Sequence, residues 1–161
     1  MVNASGGVLS LREAVSQANA TAAADSIAFP ASLAGRTLLL TRGELRVTAD
    51  LSIDGNGAGN AAPVMIDGVE DGRVLRINGG TEMALADLTI QNGVNYTPDG
   101  PNLGGNILLE GGSLSLLRTT VGDGAAGFGC SIYANRKTFH SQLQGLTVGI
   151  GEAQLALSVR R

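Results

Sequence analysis

The sequence predicts an all-β solenoid with one short helix at its start. Three observations carry that prediction. Short apolar–variable–apolar runs recur, each closed by a small polar residue and a glycine: Leu51-Ser52-Ile53-Asp54-Gly55, Val64-Met65-Ile66-Asp67-Gly68, Leu75-Arg76-Ile77-Asn78-Gly79 and Leu88-Thr89-Ile90-Gln91-Asn92-Gly93. Alternate runs share one spacing, with Ile53 and Ile77 24 residues apart and Ile66 and Ile90 also 24 apart. A fixed period of this size marks a repeat that buries its apolar face by stacking on the next one. The composition agrees: 24 of 161 residues are glycine, aromatics are 3% and Trp is absent, so Val, Ile, Leu and Ala must build a thin core with many tight corners.

The helix signal lies in residues 8–19, with a cap region predicted over 8–24. Ser10 and Glu13 have the spacing of a capping box. Leu11, Ala14, Val15 and Ala18 follow helical spacing and form one apolar stripe. A helix this short needs a partner, and the open end of a strand stack supplies one while hiding unpaired strand edges.

Strands follow in order. Ile27–Phe29 is the first and Pro30 ends it; Leu38–Leu40 and Leu45–Val47 complete the first coil, with a corner near Gly43. The shared period predicts a column Phe29/Ile53/Ile77, stacked corners Asp54/Asn78 and Gly55/Gly79, and Arg46 directly beneath Glu70. The period breaks at residues 94–103, where Val121 follows Ile90 at more than one period. Two prolines, Gly100 and Asn102 make this stretch a projecting loop. Loops on rigid scaffolds often carry function, which makes Tyr96, Asp99 and Asn102 the candidate binding residues. Ile107 and Ile132, 25 apart, begin equivalent strands. Residues 25–148 are expected to hold about five coils at that period, and residues 149–161 form a divergent end with no cap signal, open to self-association. The whole is read as one domain, 1–161.

The opening resembles the CSLREA-type domain. The residues that carry the resemblance are Leu9-Ser10-Leu11-Arg12-Glu13-Ala14-Val15, Gln17-Ala18-Asn19, Asp25-Ser26-Ile27-Ala28-Phe29, Gly35–Leu40 and Leu51–Gly57. Leu9 stands where the family's motif has cysteine. The resemblance covers residues 8–93 and implies a capped, right-handed parallel β-helix of the pectate-lyase-like kind, in a secreted or cell-surface protein. It implies no catalytic motif.

Composition excludes several classes. Net charge is −3 with no Lys/Arg cluster, so no nucleic-acid footprint is present. No apolar run is long enough to span a membrane. The first residues lack the basic and apolar regions of a signal peptide. One cysteine rules out an intrachain disulfide. The expected role is structural or adhesive, with a polysaccharide or surface glycan as the partner and no cofactor.

The alternative is a polysaccharide lyase or glycoside hydrolase, with calcium as its possible cofactor. Such enzymes need converging carboxylates and an arginine. Asp67, Asp71 and Arg73 are the catalytic candidates, beside Glu70 and Arg76; an Arg46–Glu70 surface ion pair is the plainer explanation of that cluster. Asp54-Gly55-Asn56-Gly57 resembles the start of a calcium loop but lacks its fifth-position ligand, so no metal site is assigned. Cys130 and His140 are too isolated to read as a catalytic dyad.

Overall fold

A computed structural model of the chain describes residues 9–55, 62–96, 98, 100–129, 131–134 and 143–144. Its strands form three long parallel sheets, stacked as a β-solenoid of about three turns. Sheet A runs β1 (Asp25–Ala28), β4 (Leu51–Asp54), β7 (Glu82–Ala86), β11 (Ser113–Leu117) and β15 (Leu143–Gln144). Sheet B runs β2 (Thr37–Leu39), β5 (Val64–Asp67), β8 (Leu88–Gln91) and β12 (Thr120–Val121). Sheet C runs β3 (Leu45–Val47), β6 (Leu75–Ile77), β10 (Ile107–Leu109) and β14 (Ile132–Ala134). A fourth, two-stranded sheet joins β9 (Val94–Asn95) to β13 (Ala125–Ala126).

Alternation decides which side chains enter the stack. In β3, Leu45 and Val47 point inward and Arg46 outward; β6 repeats this with Leu75, Ile77 and Arg76. Val47, Ile66, Ile77, Ile90, Ile107, Leu109 and Val121 are completely enclosed. The core is one cluster built mainly of aliphatic side chains from the three sheets, with Phe29 and Met83 among them.

The register differs from the expected one. Ile53 stacks on Ile27 and Leu85, and Ile77 stacks on Val47 and Leu109. Phe29/Ile53/Ile77 is therefore not a column, and Asp54 lies beside Ala28 and Ala86 rather than Asn78. The Ile66–Ile90, Ile90–Val121 and Ile107–Ile132 pairings are present as predicted. The reason is that the sides of one coil are unequal. The chain passes from Ile53 on sheet A to Ile66 on sheet B, then to Ile77 on sheet C, and returns to sheet A at Leu85. The first of these three segments is the longest and the last is the shortest. The spacing of Ile53 and Ile77 thus spans two sides of the coil, whereas that of Ile66 and Ile90 spans a full turn. In the next turn the A-to-B corner shrinks and the B-to-C segment lengthens. Several turns exceed the expected period, which leaves room for fewer coils than anticipated.

The A-to-B corner shows why it tightened. After β7 and β11 the chain turns on one left-handed residue, Asp87 at φ 54° and Arg118 at φ 46°. Beneath them a Cβ on Gly55 would sit 2.2 Å from the Asp87 carbonyl oxygen, so only glycine permits this approach.

The N-terminal helix, α1 (Leu11–Ala18), has the predicted capping box between Ser10 and Glu13 and buries Leu11, Ala14, Val15 and Ala18. Its polar residues do more than the stripe suggests. The Asn19 amide donates to the Arg46 carbonyl at 2.7 Å and accepts from the Thr48 N–H at 2.8 Å. The Arg12 guanidinium donates to the carbonyls of Gly43 and Glu44. These are the backbone groups that edge strand β3 and its approach turn outward, so the cap closes this edge with side chains instead of another strand.

Candidate functional site

Two places bring chemistry-bearing side chains together. The first is a lobe built from residues 94–96 and 100–103 of the expected projecting loop. It is not a free loop: β9 pairs with β13, and Leu103 bridges to Phe128. The Asn95 side-chain amide donates to the Leu103 carbonyl at 3.0 Å, and the Phe128 N–H donates to the Asn102 carbonyl at 2.8 Å. Arg73 fastens the base of the lobe to sheet C, donating to the carbonyls of Leu103 at 2.8 Å and Gly104 at 2.9 Å while pairing with Glu44. On this support Tyr96 is 65% exposed and Phe128 is 48% exposed. Asn102 is half-buried beside them; Asp99 lies outside the described residues.

The second place is the outer face of sheet C. Arg46 sits in register with Arg76, not beneath Glu70 as expected. Arg76 pairs with Glu110 at 2.6 Å and lies 3.7 Å from Glu44, which also pairs with Arg73. The hydrogen bond from Arg76 holds the Glu110 carboxyl below its ordinary range and raises the guanidinium's own pKa. Arg46 Nε donates to Asn78 Oδ1 at 3.1 Å. Glu44 and Glu110 were missed by spacing arguments because their partners are set by the true register. The clue in the sequence was the i, i+2 placement of Glu44 and Arg46 around an inward Leu45.

The three catalytic candidates bond to separate partners. Asp67, at the end of β5, is nearly enclosed. Its Oδ1 accepts from the Val69 N–H at 2.8 Å, and its Oδ2 accepts from Gln91 at 2.9 Å and Asn92 at 2.8 Å. Burial pushes this carboxyl up, but the three hydrogen bonds outweigh it and leave the pKa below the ordinary value. Asp71 is exposed at the following turn, where its N–H donates to the Gly68 carbonyl. Arg73 is engaged with Glu44, Leu103 and Gly104, and no hydrogen bond or ion pair joins it to Asp67 or Asp71. Among the described residues no three His, Cys, Asp or Glu side chains cluster as metal ligands. Cys130, His140 and residues 56–61 of the calcium-like stretch lie outside the described residues.

Between the two places, Asn106 is a completely buried polar residue that sequence reading passed over. Its Oδ1 accepts from the Gly93 N–H at 2.7 Å and its Nδ2 donates to the Gly122 carbonyl at 2.6 Å. It ties the B-side corners of two successive turns to the start of β10.

The fold and these surfaces define a capped parallel β-solenoid with one aromatic side lobe. No protein-family model, curated protein or solved structure matches the chain significantly. No helix among the described residues is long and apolar enough to cross a membrane.

Proposed function

We propose that this chain is a structural, adhesive β-solenoid segment of a secreted or cell-surface protein, and that its lobe binds an extended glycan. The observation that carries this reading is the exposure of Tyr96 and Phe128 on one lobe. The chain has only five aromatic residues, and it places these two in solvent beside the amides of Asn95 and Asn102. Aromatic faces pack against the apolar face of a sugar ring while amides bond its hydroxyls. A firm base suits the task, since Arg73 holds the lobe to the stack and little ordering cost remains for binding. The likeness of residues 9–19 and 25–57 to the CSLREA-type opening supports the extracellular setting and the pectate-lyase-like β-helix kinship.

The test is retention on a panel of neutral and acidic polysaccharides, with calcium and with chelator, scored together with new chain ends. Retention without cleavage is expected. Replacing Tyr96 and Phe128 together by Ala should weaken it at least about tenfold, which is ~1.4 kcal/mol. Appearance of new chain ends would make the protein a carbohydrate-active enzyme. No retention on any member of the panel would overturn the glycan reading.

A further inference from the structure

We propose that Asn78-Gly79 is a site of self-modification, at which the folded chain converts the Asn78 amide to a carboxylate while leaving Asn92-Gly93 intact. Both pairs have the sequence that favours attack of a glycine nitrogen on the preceding side chain, because glycine offers no Cβ to obstruct it. The fold treats them oppositely.

At Asn78 the chain makes a tight turn closed by the Thr81 N–H on the Asn78 carbonyl at 3.4 Å, with Gly80 at φ 84°. Gly79 is exposed, and among the described residues nothing accepts its N–H. A Cβ added there would find only the Glu110 carbonyl oxygen, at 4.0 Å, so the space around the nucleophile is open. The electrophile is prepared too. Arg46 Nε–H lies on Asn78 Oδ1 at 3.1 Å and draws electron density from Cγ, the atom to be attacked.

At Asn92 each of these conditions is reversed. The Gly93 N–H is held by buried Asn106 Oδ1 at 2.7 Å. The Asn92 amide is held by Asp67 Oδ2 at 2.8 Å, an anion that opposes charge build-up at the neighbouring carbon. Gly93 is buried, and a Cβ on it would meet the Gly105 carbonyl oxygen at 2.4 Å, so the corner cannot rearrange around the nitrogen.

The chemistry needs only water. The Gly79 nitrogen forms a bond to Asn78 Cγ, the Cγ–Nδ2 bond breaks, and the proton lost by the Gly79 nitrogen leaves with the amide as ammonia. Water then opens the cyclic imide at either carbonyl. One opening gives an aspartate side chain and the other gives isoaspartate, with one more CH2 in the backbone. Either product places a carboxylate beside Arg46, which pairs with no carboxylate among the described residues. The outer face of sheet C thereby acquires a third acidic group next to Glu44 and Glu110.

The test is peptide mapping by mass spectrometry after incubating the full chain in warm, mildly alkaline buffer, both folded and in urea. Urea should convert Asn78 and Asn92 alike. The folded chain should convert Asn78 and spare Asn92. Folded Gly79→Ala should lose conversion at Asn78, with intact Asn92 reporting that the variant is still folded. Arg46→Gln should slow conversion in the folded chain and leave the urea rate unchanged. An Asn78 that stays an amide in the folded chain while urea converts it would overturn the proposal, as would equal conversion of Asn92. Wild-type conversion in Arg46→Gln would overturn the role given to Arg46.

Discussion

Asp67 on one turn accepts a hydrogen bond from Gln91 on the next, at 2.9 Å, and the two residues are register partners in sheet B. A nearly enclosed carboxylate is thus satisfied by neutral donors alone, with Asn92 and the Val69 N–H completing the set. Such a group fastens successive corners without a counter-ion.

Removing that group should cost stability in a pH-dependent way. Asp67→Ala leaves three donors without their acceptor and should cost about 2–3 kcal/mol at neutral pH. The Asp67 pKa is depressed in the folded chain. Its contribution is therefore fully present above the unfolded value, about 4, and is lost as pH falls through the folded value. Denaturant melts at neutral and acid pH should show wild type losing more stability on acidification than Asp67→Asn, which cannot titrate there. Equal losses would remove Asp67 from the acid response.

The register can be measured energetically. Val47 and Ile77 are stacked partners in sheet C, whereas Ile53 lies on sheet A. Ile77→Ala should cost about 2–5 kcal/mol. A double-mutant cycle of Val47→Ala with Ile77→Ala should show coupling of roughly 0.5 kcal/mol or more. The cycle of Ile53→Ala with Ile77→Ala should show less. The reverse order would contradict the pairing.

Asn106 should be the most sensitive polar residue of the core. Asn106→Ala orphans the Gly93 N–H and the Gly122 carbonyl, each costing about 1–3 kcal/mol when buried. Hydrogen exchange provides the local readout, since Gly93 should lose protection before the strands of sheet A do. Unchanged protection at Gly93 would show that the amide bridge is dispensable.

Two arginines separate buried from exposed pairing. Arg73 has a side chain only 9% exposed and bonds two carbonyls as well as Glu44. Arg118 is 59% exposed and meets Asp87 through two hydrogen bonds at 2.6 Å. Arg73→Ala should cost about 3 kcal/mol and loosen the lobe. Arg118→Ala should cost far less than Arg73→Ala, because its ion pair is open to solvent, and what it does cost should fade with added salt. Thermal melts of the two variants decide this, and similar losses would place the Arg73 network in the solvent-screened class.

The helix, its capping box and its buried stripe were legible in residues 8–19 because each rests on contacts three or four residues apart. The strands were legible because inward aliphatics alternate with outward polar residues, and the corners because Asp, Asn and Gly follow each run. Those local rules determine a parallel solenoid. What they leave open is which run lies on which. The three segments that carry Ile53 to Ile66, Ile77 and Leu85 differ in length, so equal spacings in the chain do not mean equal places in the stack. Tertiary pairing alone placed Arg46 beside Arg76 instead of beneath Glu70, brought Glu44 and Glu110 to the same guanidinium, and enclosed Asn106 between Gly93 and Gly122. It also paired Val94-Asn95 with Ala125-Ala126 at the base of a side lobe. The physical reason is that sheet register is fixed by the closing of backbone ladders and the filling of one shared core between the three sheets. Both depend on corner lengths that no local pattern encodes.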